Sequence, residues 1–130
     1  MAAGRRYTLS EANALVGPLS EIIGEASQAR EVLVDHELVA TLAERAPGNG
    51  GGDEARTFTE SALRFSRALA QLDRWDVIVR DLDTGLCDFP AEREGRLVYL
   101  CWKSGESRID FWHEVDDGAQ GRQPVDELTP

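Results

Sequence analysis

The sequence predicts an α+β fold, a long antiparallel helical hairpin followed by a small antiparallel β-meander of three to four strands. Three observations lead there. Apolar residues recur at alternating steps of three and four through the N-terminal half. A Pro47-Gly48-Asn49-Gly50-Gly51-Gly52 segment divides that half in two. After Trp75 the apolar period changes from helical to strand-like, with turn residues between the runs. The hairpin takes about residues 8–75, the meander about 77–115, and a loop and tail residues 116–130; 130 residues suit one domain able to bury its own core.

The first helix opens at Thr8, with Glu11 three residues on as a capping box. Leu9, Ala12, Val16, Leu19, Ile23 and Ala26 form one stripe, continued less regularly through Val32, Leu33, Val39, Leu42 and Ala43. Gly17-Pro18 falls inside it, and proline removes a backbone donor, so a kink or a split is expected there. The glycine segment is costly to order and reads as a mobile loop. The second helix is capped by Asp53 or by the Thr57–Glu60 pair, and its stripe is Ala55, Phe58, Ala62, Phe65, Leu69 and Leu72.

Val77 to Asp81 reads as a strand, Asp83-Thr84-Gly85 as a turn, and Leu86 to Phe89 as a short strand closed by Pro90. Arg96 to Trp102 is the strongest strand, and Lys103-Ser104-Gly105-Glu106 turns it into Ser107 to His113. Pairing Trp102 with Ser107 sets Leu100 against Ile109 and Val98 against Phe111 on one face, with His113 beside Arg96 at its rim. Leu97, Tyr99, Cys101, Asp110 and Trp112 then share the other face. One helical layer cannot cover both faces, so the second is expected to be a dimer interface or a ligand surface. From Asp116 the glycines and prolines return, and the last residues read as a loosely held tail.

The formal net charge of −10 repels phosphate backbones and anionic lipid, which argues against nucleic-acid and membrane partners. No apolar run follows Met1 to Arg6 and none reaches spanning length, so neither leader nor membrane span is expected. Two cysteines, Cys87 and Cys101, are too few for a disulfide scaffold and fit a reducing cytoplasm.

Three constellations could carry chemistry. His113, Glu114 and Asp116, with Asp81, Asp83, Asp88 and Asp117 nearby, offer an imidazole and carboxylates to a divalent metal ion, the one cofactor these residues could hold; the favoured reading is that Asp81, Asp83 and Asp88 cap turns and the other acids are solvated. His113 alone suits acid–base work or a satisfied, half-buried position. Arg80 and Arg122 with Trp102 and Trp112 could grip a small anionic or planar ligand, or could neutralise acids and fill the core and an interface. Cys101 lies mid-strand and reads as inert filling, and Gly50-Gly51-Gly52 lacks the lysine and preceding strand of a phosphate loop.

Three segments also carry a family resemblance. Arg80-Asp81-Leu82-Asp83-Thr84-Gly85-Leu86-Cys87-Asp88-Phe89-Pro90 comes first. Leu100-Cys101-Trp102 with Gly105-Glu106 comes second, and Trp112-His113-Glu114 with Gly118 and Gly121-Arg122-Gln123-Pro124 third. In order and spacing they resemble the bacterial family labelled Domain of Unknown Function 2203, as does the Tyr7-Thr8-Leu9 start of the helical half. The resemblance implies a small bacterial protein and brings no activity or residue role with it. Asp116-Asp117 before Gly118 puts a second acid where the family pattern is more neutral.

The functional expectation is a non-catalytic binding or interaction module that forms a homodimer. Its ligand-binding candidates are Arg80, Asp81, Asp88, Trp102, Trp112, His113 and Arg122. The alternative is a metal-binding protein or small metal-dependent enzyme centred on His113, Glu114 and Asp116, and a third is an adaptor whose hairpin docks a protein partner.

Overall fold

The computed structural model describes residues 4–45 and 52–126. Two long helices, α1 (Leu9–Leu33) and α3 (Asp53–Arg74), pack together, with a shorter α2 (His36–Arg45) between them in the chain. A five-stranded antiparallel sheet follows in the order β1 (Ile78–Asp81), β2 (Leu86–Arg93), β3 (Arg96–Trp102), β4 (Phe111–Glu114) and β5 (Gln123–Pro124). The expected glycine-rich loop lies, apart from Gly52, outside the described residues.

The capping box at α1 is formed: Glu11 N–H donates to Thr8 Oγ1 at 3.1 Å and Thr8 N–H to Glu11 Oε1 at 2.8 Å. Ala12, Val16, Leu19, Ile23 and Ala26 of the expected stripe are buried. Helix α1 continues through Pro18, which removes the split, one of the two alternatives expected there. Ala14, whose carbonyl loses its partner there, and Pro18 are both exposed, so water can satisfy the orphan. The break falls instead after Leu33. There Asp35 Oδ1 accepts from the amides of Glu37 and Leu38 at 3.0 and 3.1 Å and starts α2.

Helix α3 starts at Asp53 behind Gly52, and neither expected side-chain cap is made. Its buried residues are Ser61, Ala68 and Leu72, small side chains apart from the last, which suit close approach to α1. Phe58, Ala62 and Phe65 are half-buried and Leu69 is exposed, so only the end of the expected stripe faces inward.

The core lies between α1 and one face of the sheet. Val16, Leu19 and Ile23 join Cys87, Phe89, Ala91, Val98, Leu100, Trp102, Ile109 and Trp112 there. Tyr7 closes one end. Its amide donates to Pro90 O at 2.7 Å, its hydroxyl to Trp75 O at 2.6 Å, and its ring meets Phe89 edge-on at 5.1 Å. Strand β2 therefore continues through Pro90 rather than ending there. A strand residue's N and C=O point the same way, so the donor that proline lacks faces Tyr7 and not β3.

The β3–β4 register departs from the expected one. Leu100 pairs with Trp112 and Val98 with Glu114, a shift of three residues, and an odd shift turns every side chain over. The cause is the connection. Trp102 Nε1–H donates to Glu106 O at 2.9 Å, and Ile109 N–H is taken by Asn13 Oδ1 of α1 at 2.7 Å, so Ile109 plugs the core instead of pairing with β3. Both tryptophans thus lie on the core face, and His113 moves to the opposite face. Up to Asp126 the C-terminal segment is held, and residues 127–130 of the expected tail lie outside the described residues. Gly118–Gly121 makes a 3₁₀ turn, β5 pairs with β4, and Asp126 accepts a forked pair from Arg93 at 2.9 and 3.0 Å.

Candidate functional site

The face of the sheet turned away from the helices carries the polar cluster. Strand pairing puts Asp88 of β2 opposite Cys101 of β3, and Tyr99 of β3 opposite His113 of β4. Alternation along each strand sends Asp88, Tyr99, Cys101 and His113 to one side. The β2–β3 register that fixes this is set by Glu94-Gly95, both with positive φ (52° and 79°), a two-residue turn that sets Arg93 opposite Arg96.

Asp88 and His113 side chains are 1% and 2% exposed, and His113 Nε2 lies 2.9 Å from Asp88 Oδ1. His113 Nδ1 lies 2.7 Å from the carbonyl oxygen of Glu114. A carbonyl only accepts, so Nδ1 carries a proton, and one further proton lies between Nε2 and Oδ1. The second carboxylate oxygen of Asp88 accepts from Arg80 Nε–H at 2.8 Å. That bond leads the causes that raise the Arg80 guanidinium above its ordinary value. Arg80 sits at an irregularity between Val79 and Asp81 in β1 and stacks 5.0 Å over the Tyr99 ring. Buried charge is tolerable only when paired in this way.

Above the pair lies a cavity of about 350 Å³. Its walls are Arg80, Leu86, Asp88 and His113 from the sheet and Val115, Asp116, Asp117, Gly118 and Ala119 from the segment after β4. That segment folds over the site through a left-handed Gly118 (φ 63°) and through Gly121, where a Cβ would come within 2.4 Å of the Asp117 Cβ.

Of the residues singled out in the sequence, Arg80, Asp88 and His113 converge at this cavity, with Asp116 on its wall. Arg122 is placed elsewhere: it donates to Glu106 at 2.9 and 3.1 Å and to the Cys101 carbonyl at 3.3 Å, over the Phe111 ring. Asp81 caps its turn by accepting from Asp83 N–H at 2.9 Å. Trp102 and Trp112 fill the core. Glu114 points to the far face, gripped by Arg96 through both carboxylate oxygens, so it is not beside the His113 ring. Cys101 is more than the inert filling its mid-strand position suggests. One donor atom each from Asp88, Cys101 and His113 lie within 4.8 Å of one another, and all three residues are buried. Recognising Glu94-Gly95 as a tight hairpin turn would have exposed the Asp88–Cys101 pairing.

Burial pushes both thiols up, Cys87 to about 12 and Cys101 to about 11, so neither is a ready nucleophile in this state. Among the described residues, no helix is long and apolar enough to cross a membrane. No curated protein and no solved structure matches the sequence. The family described as uncharacterized conserved protein (DUF2203) matches residues 5–125, a span holding all three α-helices and the whole sheet, and to that family the chain belongs.

Proposed function

We propose that the chain is a non-catalytic binding protein whose ligand site is the cavity over the His113–Asp88 pair. The observation that carries this is a buried, hydrogen-bonded His113–Asp88 pair, held on its other side by the half-exposed Arg80, at the base of a cavity of about 350 Å³. Binding is favoured over acid–base catalysis because both His113 ring nitrogens and both Asp88 oxygens already have partners inside the protein. The Arg80 side chain is 44% exposed and lines the cavity together with Asp116 and Asp117. A small ligand with one anionic group for Arg80 and donors for the two acids fits that arrangement. Two free cysteines, both buried, support a cytoplasmic setting, and the charge of −10 argues against nucleic acid and anionic membrane as partners.

Amide NMR of labelled protein, titrated with small carboxylates, phosphates and amino acids, tests this. Shifts centred on Arg80, His113 and Gly118, lost in Arg80→Ala, are expected. A panel in which no compound moves those resonances would remove the reading.

Self-association into a homodimer has its own support. Phe58, Ala62, Phe65 and Leu69 form a row on α3, half-buried to 45% exposed. Light scattering should then give a dimer mass that Leu69→Glu halves; a monomer at millimolar concentration would dispose of the idea.

A further inference from the structure

We propose that Asp88, Cys101 and His113 form a binding site for a zinc-class divalent ion at the base of the cavity. The proposal rests on reading that cavity as the ligand site and names the ion that would sit at its base. Three adjacent strands each supply one ligand, β2 Asp88, β3 Cys101 and β4 His113, and the donor atoms lie within 4.8 Å of one another with all three residues buried. A paired sheet face is rigid support for such a set. One imidazole nitrogen, one sulfur and one carboxylate oxygen suit zinc, whereas magnesium and calcium take all-oxygen shells.

Each ligand is oriented from behind. The Nδ1–H of His113 is committed to the Glu114 carbonyl at 2.7 Å, which leaves Nε2 as the coordinating atom. Arg80 holds Oδ2 of Asp88 at 2.8 Å, and Oδ1 is thereby aimed at Nε2. The Cys101 backbone is tied to Arg122 through its carbonyl. In the metal-free protein one proton bridges Nε2 and Oδ1, and one stays on the Cys101 sulfur. The ion displaces both into solvent. It is then held by a neutral imidazole, a carboxylate and a thiolate, whose two negative charges offset its own two positive ones. With three protein ligands, a fourth position is left for the cavity side, where Asp116 and Asp117 attract cations to the mouth.

The test uses the full chain, stripped with chelator and titrated with zinc by calorimetry and with cobalt(II) by absorption. A single saturating equivalent is expected, with a thiolate-to-cobalt charge-transfer band in the near ultraviolet. Cys101→Ser, which keeps the shape of the side chain, should lose that band and weaken zinc by more than roughly 100-fold, beyond what loss of a supporting contact costs. Asp116→Asn should keep the band. No saturable uptake, or a cobalt spectrum without the thiolate band that Cys101→Ser leaves unchanged, overturns the proposal. If the NMR panel still moves Arg80 and Gly118 while zinc fails, only the metal site falls. If zinc binds with the Cys101 signature and no organic compound does, the organic-ligand reading falls and the metal site stands.

Discussion

His113 on β4 and Asp88 on β2 meet across β3, Nε2 to Oδ1 at 2.9 Å, with no solvent exposure to speak of on either side chain. Removing either partner leaves one buried polar atom of the other without its hydrogen bond, although Asp88 keeps Arg80 and His113 keeps the Glu114 carbonyl, and such an orphaned atom costs about 1–3 kcal/mol. Asp88→Ala and His113→Ala should each lower the urea midpoint sharply. The double variant should lose less than the sum, by about 0.5–3 kcal/mol. Additive losses would mean that the two residues do not act as a pair.

The parts of this fold that were readable in the sequence are those set by local rules. Thr8 and Glu11 are a reciprocal cap wherever they stand three apart, and Ala12, Val16, Leu19 and Ile23 can share only one helix face. The site was less readable because it depends on register, which a long-range bond decided. Asn13 Oδ1 takes the Ile109 amide from 96 residues away, pulls Ile109 out of the ladder, and so sends His113 to the face that carries Asp88 and Cys101. Arg80 and Asp88 are recognisable as flanks of one turn, but nothing in their spacing says that His113 joins them at the cavity.

Native thiol reactivity should be negligible. Burial raises Cys87 to about 12 and Cys101 to about 11, so the thiolate fraction at about pH 8 is small and neither sulfur is accessible. A disulfide exchange reagent should label neither cysteine in the folded metal-free protein and both in denaturant. Rapid labelling of Cys101 without unfolding would show that the face over β3 opens readily.

Acid sensitivity should trace to two surface glutamates. The Arg96 fork lowers Glu114, and the Thr8 amide bond lowers Glu11, from the ordinary 4.5. A group whose folded value is depressed contributes stability above its unfolded value, and that contribution is lost as pH falls through the folded one. The urea midpoint should therefore drop as pH falls below about 4.5, and the Glu114→Gln, Glu11→Gln double variant should drop less steeply. Parallel curves would assign the acid loss to other groups.

Gly85 gives a sharper test of backbone geometry than Gly95, although both have φ in the left-handed region (70° and 79°). A Cβ at Gly85 would lie 1.9 Å from Ser104 Oγ and 2.7 Å from Ser104 Cβ, where the Ser104 amide donates to the Gly85 carbonyl at 3.3 Å. A Cβ at Gly95 would meet nothing within 4 Å. Gly95→Ala should thus cost only the backbone strain, about 1 kcal/mol. Gly85→Ala should cost that and a collision, roughly 2–4 kcal/mol in all, since overpacking adds about 1–3. Ser104→Gly removes the colliding atoms, so in that background the Gly85→Ala cost should fall to the Gly95→Ala level. Melting temperatures of the four variants decide it. Equal costs at the two glycines in the parent background would mean that the loops at Gly85 and Ser104 part freely, and that their contact does not help to hold β1 and Arg80 at the cavity edge.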